Sequence, residues 1–192
     1  MIVRAIVFDC FGVLYASSID TLVQLCAPED KLLLRDINKQ HDYGFISGQE
    51  YESKIAEIFG WTRQQVHNFL MQKRVRNSAL IDYIADLRQQ HRGLKIALLS
   101  NVGSDTLEYL FAPDELDKLF DVRVLSYEES LAKPNPEIFV LTAERLGVAT
   151  GECVMIDDRA ENCEGAEIAG MKALQYTDNN LIIQRLNALL EA

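Results

Sequence analysis

No apolar run in this chain approaches the roughly 20 residues that a membrane span requires. The opening Met1-Ile2-Val3-Arg4 lacks the layout of a secretory signal, because its apolar residues flow straight into a strand-like run. Basic residues are scarce: 19 Lys and Arg against 29 Asp and Glu leave a formal charge of -10. A surface of that sign repels nucleic-acid phosphates and anionic lipid, so neither nucleic acid nor a membrane is expected as a partner. A small phosphorylated ligand remains admissible where a local cluster of metal and lysine overrides the global field. Cysteine is sparse as well. Cys10, Cys26, Cys153 and Cys163 form no CxxC pair, so neither disulfides nor zinc are expected, and the cytoplasm is the expected compartment. His41, His67 and His91 stand apart from one another and read as surface or helix-end residues. No internal repeat or low-complexity segment is present, and nothing in the sequence speaks to oligomeric state.

What is present suits a soluble globular protein with room for one sizeable core, or for a core and a small accessory domain, in 192 residues. The chain is organised around Ile6-Val7-Phe8-Asp9-Cys10-Phe11-Gly12. Apolar, mostly β-branched residues end there in one carboxylate and then a glycine. Both faces of the run are apolar, which is the mark of a buried strand in a parallel sheet. Asp9 would stand at its carboxyl end, where open α/β sheets place their ligands.

The pattern then turns helical for about sixty residues. Ser17 or Ser18 precedes Ile19, Leu22, Val23 and Leu25 at helical spacing. Pro28-Glu29-Asp30 opens a second helix with Leu32, Leu33, Leu34 and Ile37. Ser47 and Glu50 have the spacing of a capping box, and Thr62 reads as an N-cap ahead of Val66, Phe69, Leu70 and Val75. Trp61 and the Phe59–Phe69 region read as packing residues of this segment. From Asn77 onward strands and helices alternate. Strands are predicted over 95–99, 120–125, 153–156 and 172–176, and helices over 78–91, 105–111, 136–146, 161–169 and 181–190. Such alternation predicts an α/β fold with a doubly wound parallel sheet, carrying an inserted all-helical segment.

Three further polar clusters follow strand-like runs. Ser100-Asn101 supplies a hydroxyl and an amide, Lys133 is stiffened by prolines at 134 and 136, and Asp157-Asp158 heads a segment that continues to Asn162. Each has a plainer reading alone: a turn at Ser100-Asn101, a solvated lysine at 133, a helix start favoured by acids at 157 and 158. Adjacent carboxylates repel without a counter-charge, and oxygen ligands at that density suit a hard divalent cation, Mg²⁺ above all. Together the clusters deliver an aspartate, a hydroxyl, a lysine and an acidic pair to one edge of one sheet, a constellation for phosphoryl transfer.

With those four clusters in order, the whole chain resembles the haloacid dehalogenase superfamily, in the branch with a small helical cap after the first motif. Gly165-Ala166 and Ala169-Gly170-Met171 resemble the helix after its fourth motif. The segment with Asn162 is similar to the sugar-phosphate phosphatases of this branch and to the phosphatase domain of soluble epoxide hydrolase. The resemblance implies a core of residues 1–15 and 80–192, a cap of residues 16–79, and a small phosphorylated metabolite as substrate. It implies that Asp9 attacks phosphorus, with Mg²⁺ held by Asp9, Asp158 and the carbonyl of Phe11. Ser100 and Lys133 would hold phosphoryl oxygens, with Asn101 at the same pocket, Asp157 orienting Lys133, Asn162 in support and Gly12 allowing a tight exit from the strand.

One position departs from the pattern. Superfamily phosphatases carry an acid–base aspartate two residues after the nucleophile, where this chain has Phe11. An aromatic there resembles the metal-independent 2-haloacid dehalogenases, but those have uncharged residues where this chain has Asp157-Asp158, and a threonine in place of Val13. They also bind their substrate carboxylate with an arginine early in the cap, where Arg35 stands. A weakly active or non-catalytic relative is the third reading. Tyr15, His41, Tyr43 and Glu50 are candidates to replace the missing proton donor.

Overall fold

The computed structural model describes residues 2–103 and 106–191. Five parallel strands form one sheet in the order β3-β2-β1-β4-β5, with β1 at Ala5–Phe8, β2 at Lys95–Ser100, β3 at Val122–Leu125, β4 at Cys153–Asp157 and β5 at Lys172–Gln175. Side chains alternate across the sheet, so the two faces have separate cores. Ile6, Phe8, Ile96, Leu98, Val154 and Ile156 meet Leu80, Ile84 and Leu87 of α5 (Ser78–Gln90) and Ile182 and Leu186 of α10 (Asn179–Leu190). Ala5, Val7, Ala97, Leu99, Cys153 and Met155 meet Ile138, Phe139 and Ala143 of α8 (Pro136–Leu146) and Ala166 of α9 (Ala160–Ile168). Helices on both faces make the sheet doubly wound, as the alternation predicts.

The expected helical segment is α1 (Ser18–Leu25), α2 (Lys31–Asp42), α3 (Gly48–Phe59) and α4 (Arg63–Lys73). These helices close around an apolar cluster of their own, with Leu22, Leu34, Ile37, Tyr51, Ile55, Val66 and Leu70 at its centre. The predicted box at Ser47–Glu50 forms, and Thr62, read as an N-cap, makes a box of its own with Gln65. Phe59, Trp61 and Phe69 pack on one another, with Trp61 4.7 Å from Phe59 and 5.4 Å from Phe69 between ring centroids. The stripe expected on α2 is narrower than read, because Leu32 and Leu33 face outward and only Leu34 and Ile37 reach the cluster. Where the chain leaves and re-enters the sheet its two connections run side by side. The Ala16 N–H donates to the Val75 carbonyl, and the Asn77 N–H to that of Leu14.

In place of the helix predicted over 105–111 there is a 3₁₀ turn at Leu107–Tyr109; Asp105 lies outside the described residues. Two short helices, α6 (Glu115–Leu119) and α7 (Ser126–Glu129), were not expected. Among the described residues no helix is long and apolar enough to cross a membrane.

Glycine 165 lets α9 lie against the segment that carries Lys133. A Cβ there would stand 2.2 Å from the backbone oxygen of Pro134, which has no flexible end to swing away. Gly165→Ala is therefore expected to lower stability by about 1–3 kcal/mol, the usual range for forced overpacking. The midpoint of urea denaturation reads this directly, and an unchanged midpoint would refute the close approach.

Candidate active site

Register brings the acidic groups together. β1 and β4 pair Phe8 with Ile156, so Asp9 and Asp157 emerge side by side, and the Asp9 N–H still bonds the Ile156 carbonyl at 2.9 Å. Carboxylate oxygens of Asp9, Asp157 and Asp158 lie within 4.8 Å of one another. Lys133, buried, sits among them with Nζ 2.7 Å from Asp9 Oδ1 and 2.6 Å from Asp157 Oδ2. Its third donor goes to the Leu99 carbonyl at 3.0 Å. All three ammonium hydrogens are thus used, and Lys133 can offer an anion charge at close range but no spare hydrogen bond.

The partners of Lys133 are themselves held. Asp157 accepts from the Asn162 amide at 2.9 Å and from the Arg159 N–H at 3.0 Å. Asn101 clamps the Lys133 backbone from both sides, donating to its carbonyl at 2.8 Å and accepting its N–H at 2.9 Å. The Asn101 amide is thereby committed to positioning Lys133.

Asp9 is asymmetric. Its Oδ1 accepts from the Cys10 N–H at 2.7 Å as well as from Lys133. Its Oδ2 has no hydrogen bond among the described residues. Burial pushes the Asp9 carboxyl up to about 7; Lys133 opposes the rise, while the charges of Asp157 and Asp158 add to it. Asp158 is also raised, by burial first and by Asp157 second. For Lys133, burial alone would lower the pKa, but attraction to Asp157 and Asp9 outweighs it and the ammonium stays charged.

Among the described residues two buried side-chain oxygens have no hydrogen-bond partner, Ser100 Oγ and Asp158 Oδ1. Buried polar atoms are rarely left so, and a bound ligand is one thing that satisfies them. Gly12, with φ +92°, brings its bare Cα against Asp158: a Cβ there would stand 2.3 Å from the carboxyl carbon. Three carboxylates against one ammonium leave an excess of negative charge, which matches a divalent cation.

A cavity of about 370 Å³ borders this cluster. Asp9, Phe11, Asn101, Lys133 and Asn162 form part of its wall; Ser100, Gly12, Asp157 and Asp158 do not. The helical segment contributes the opposite side, including Arg35, His41, Asp42, Tyr43 and Arg74. His41 stands in the last turn of α2, a helix end as expected, but it is buried there and stacked on Tyr51 at 4.3 Å, and burial lowers its pKa to about 4. Tyr15 and Glu50 are absent from the wall. Tyr15 bonds the Leu110 carbonyl and Arg76, and Glu50 caps its own helix.

Asp42, which sequence reasoning passed over, is in that wall at the C-terminal end of α2. It accepts from Asn38 at 2.8 Å, and burial pushes its carboxyl up to about 8 against the pull of Arg159 and Lys133. It is a carboxylic acid that retains its proton near neutrality, set across a cavity from Asp9. No local pattern distinguishes it from any other acid at a helix end.

A family model described as a haloacid dehalogenase-like hydrolase matches residues 3–170. A Mycobacterium tuberculosis protein named phosphatase MT3486 is 40% identical over 44% of this chain and 39% of its own length. The chain thus spans under half of that relative. D-ribitol-5-phosphate phosphatase of Bacteroides thetaiotaomicron is 25% identical over 99% of this chain and 100% of its own. Among solved structures, the HAD family enzyme bt-2542 of the same organism, in complex with magnesium and inorganic phosphate, superposes with a TM-score of 0.73. It is 25% identical, over 91% of this chain and 94% of that one.

Proposed function

The chain belongs to the haloacid dehalogenase-like hydrolases, and from that premise we propose that it hydrolyses the phosphomonoester of a small metabolite, with magnesium as cofactor. The carrying observation is the half-satisfied cluster: Asp9 is held by one oxygen only, and Ser100 Oγ and Asp158 Oδ1 are buried without partners. That the bt-2542 complex holds magnesium and inorganic phosphate, and that a relative over the whole chain is named for a sugar-alcohol phosphate, support the same reading.

In this reading Asp9 attacks phosphorus through Oδ2, the ester P–O bond breaks, and the departing oxygen takes its proton from Asp42. Water then attacks the aspartyl-phosphate and gives a proton to the Asp42 carboxylate, and orthophosphate leaves with Asp9 restored. Ser100 donates to a phosphoryl oxygen, and Lys133, aimed by Asp157, Asn162 and Asn101, adds positive charge beside it. Asp9, Asp158 and the Phe11 carbonyl would hold the magnesium ion, which when bound supplies the charge that lets a carboxylate approach an anionic phosphoryl group. Residues 16–79 serve as a cap over a core of residues 1–15 and 80–192, and their side of the cavity selects the ester.

Phe11 favours a dehalogenase instead, and Arg35 in the cavity wall is compatible with one. Against that reading, an excess of carboxylates beside the nucleophile repels a haloacid. The discriminating assay is direct. With millimolar magnesium, p-nitrophenyl phosphate is expected to release nitrophenol, and a chelator is expected to reduce the release to background until magnesium is restored. Halide release from 2-chloropropionate without metal would select the dehalogenase, and silence on both substrates a non-catalytic binding protein.

A further inference from the structure

Arg74 follows α4, where the chain turns back towards the sheet, and its guanidinium lies over the ring of Phe11, 5.6 Å from the centroid. It is half-buried, and its Nε is fully buried with no hydrogen-bond partner. Its only hydrogen bond is a weak one from Nη1 to Met71 Sδ at 3.7 Å, and no ion pair joins it to an acid among the described residues. Arg35 and Lys39 also border the cavity without acid partners, but they are exposed and water satisfies them. Arg74 is buried further than either of them, and at Nε entirely. Burial already disfavours its charge, and nearby Glu52 is occupied by His67 at 2.8 Å. A guanidinium partly withdrawn from water loses hydrogen bonds that an acceptor in the cavity could restore at its Nη atoms.

We infer that Arg74 recognises a carboxylate on the far end of the substrate, so that the enzyme takes small phosphomonoesters with an acidic tail. The inference rests on the phosphatase reading for the other end of the same ligand. A planar guanidinium on an aromatic face is suited to bidentate pairing with a carboxylate. A second phosphoryl group would be bulkier than a carboxylate in a cavity of about 370 Å³ and lacks the planar pair of oxygens that a guanidinium fork matches. Phe11 acquires a purpose here: where related phosphatases have an acid, this chain has a platform that aims an arginine.

The test uses non-hydrolysable ligands, so that it does not depend on turnover. Phosphonocarboxylates of increasing chain length are compared by calorimetry with alkylphosphonates of matching length, in millimolar magnesium. The best phosphonocarboxylate is expected to bind the wild type about 10- to 100-fold more tightly than its alkyl counterpart, the scale of a lost charge-assisted pair. Arg74→Met is expected to erase that ratio, and Arg74→Lys to retain part of it. Equal affinity for the two ligand classes in the wild type would overturn the inference, as would a ratio that survives in Arg74→Met. Absence of nitrophenol release with the affinity ratio intact would instead refute the hydrolytic reading and leave carboxylate recognition standing.

Discussion

Asp9→Asn is expected to lower the turnover of p-nitrophenyl phosphate by at least about 10⁴-fold, because an amide cannot form the aspartyl-phosphate. The fold should persist. Asparagine retains an Oδ1 to accept the Cys10 N–H, and Lys133 keeps Asp157 as its partner. The substitution also removes a carboxylate whose burial is unfavourable enough to push it up to about 7, which offsets the lost attraction to Lys133. Stopped assays over hours, together with a thermal melt to show that the variant is folded, make the measurement. Residual activity within tenfold of wild type would mean that the nucleophile lies elsewhere.

Asp42→Asn has the second-largest expected effect, and its signature is selective. Loss of general acid–base help lowers rates by about 10²–10⁴-fold, and the full loss falls on alkyl phosphates, whose leaving groups need a proton. Nitrophenolate departs without one, so aryl phosphates should suffer less. The pH profile carries the same information. Burial pushes the Asp42 carboxyl up to about 8, and an acid must be protonated to donate. Wild-type kcat/KM on alkyl phosphates should therefore fall as pH rises through about 8, and the variant should lose that falling limb. Equal losses on both substrate classes, with the limb intact, would return Asp42 to a structural role.

The two groups of site residues differ in how legible they are. Asp9, Ser100, Lys133 and Asp157-Asp158 can be found in the sequence because each follows a strand-like run or opens a proline-stiffened turn, and a parallel sheet brings strand ends to one edge. Sequence spacing also separates the helical segment, since no strand pattern interrupts it before Asn77. Asp42 and Arg74 carry no such mark. One is an acid at a helix end and the other a base among Lys73, Arg74 and Arg76, and their surroundings come from packing between segments distant in sequence. The outward-facing Leu32 and Leu33 fail for a related reason: three consecutive leucines cannot all lie on one face of a helix, and periodicity alone does not say which are left out.

The paired connections between sheet and helices bear on how this enzyme could change. From Ala16 to Val75 the polypeptide departs and returns at one hydrogen-bonded neck. To the sheet, everything beyond that neck is a single closed loop. The entropy of closing a loop grows only logarithmically with its length. Insertions, deletions or wholesale exchange of helices beyond the neck would therefore disturb the sheet little while reshaping what lies opposite Asp9. Such a layout lets selectivity drift while the cluster at the strand ends stays as it is.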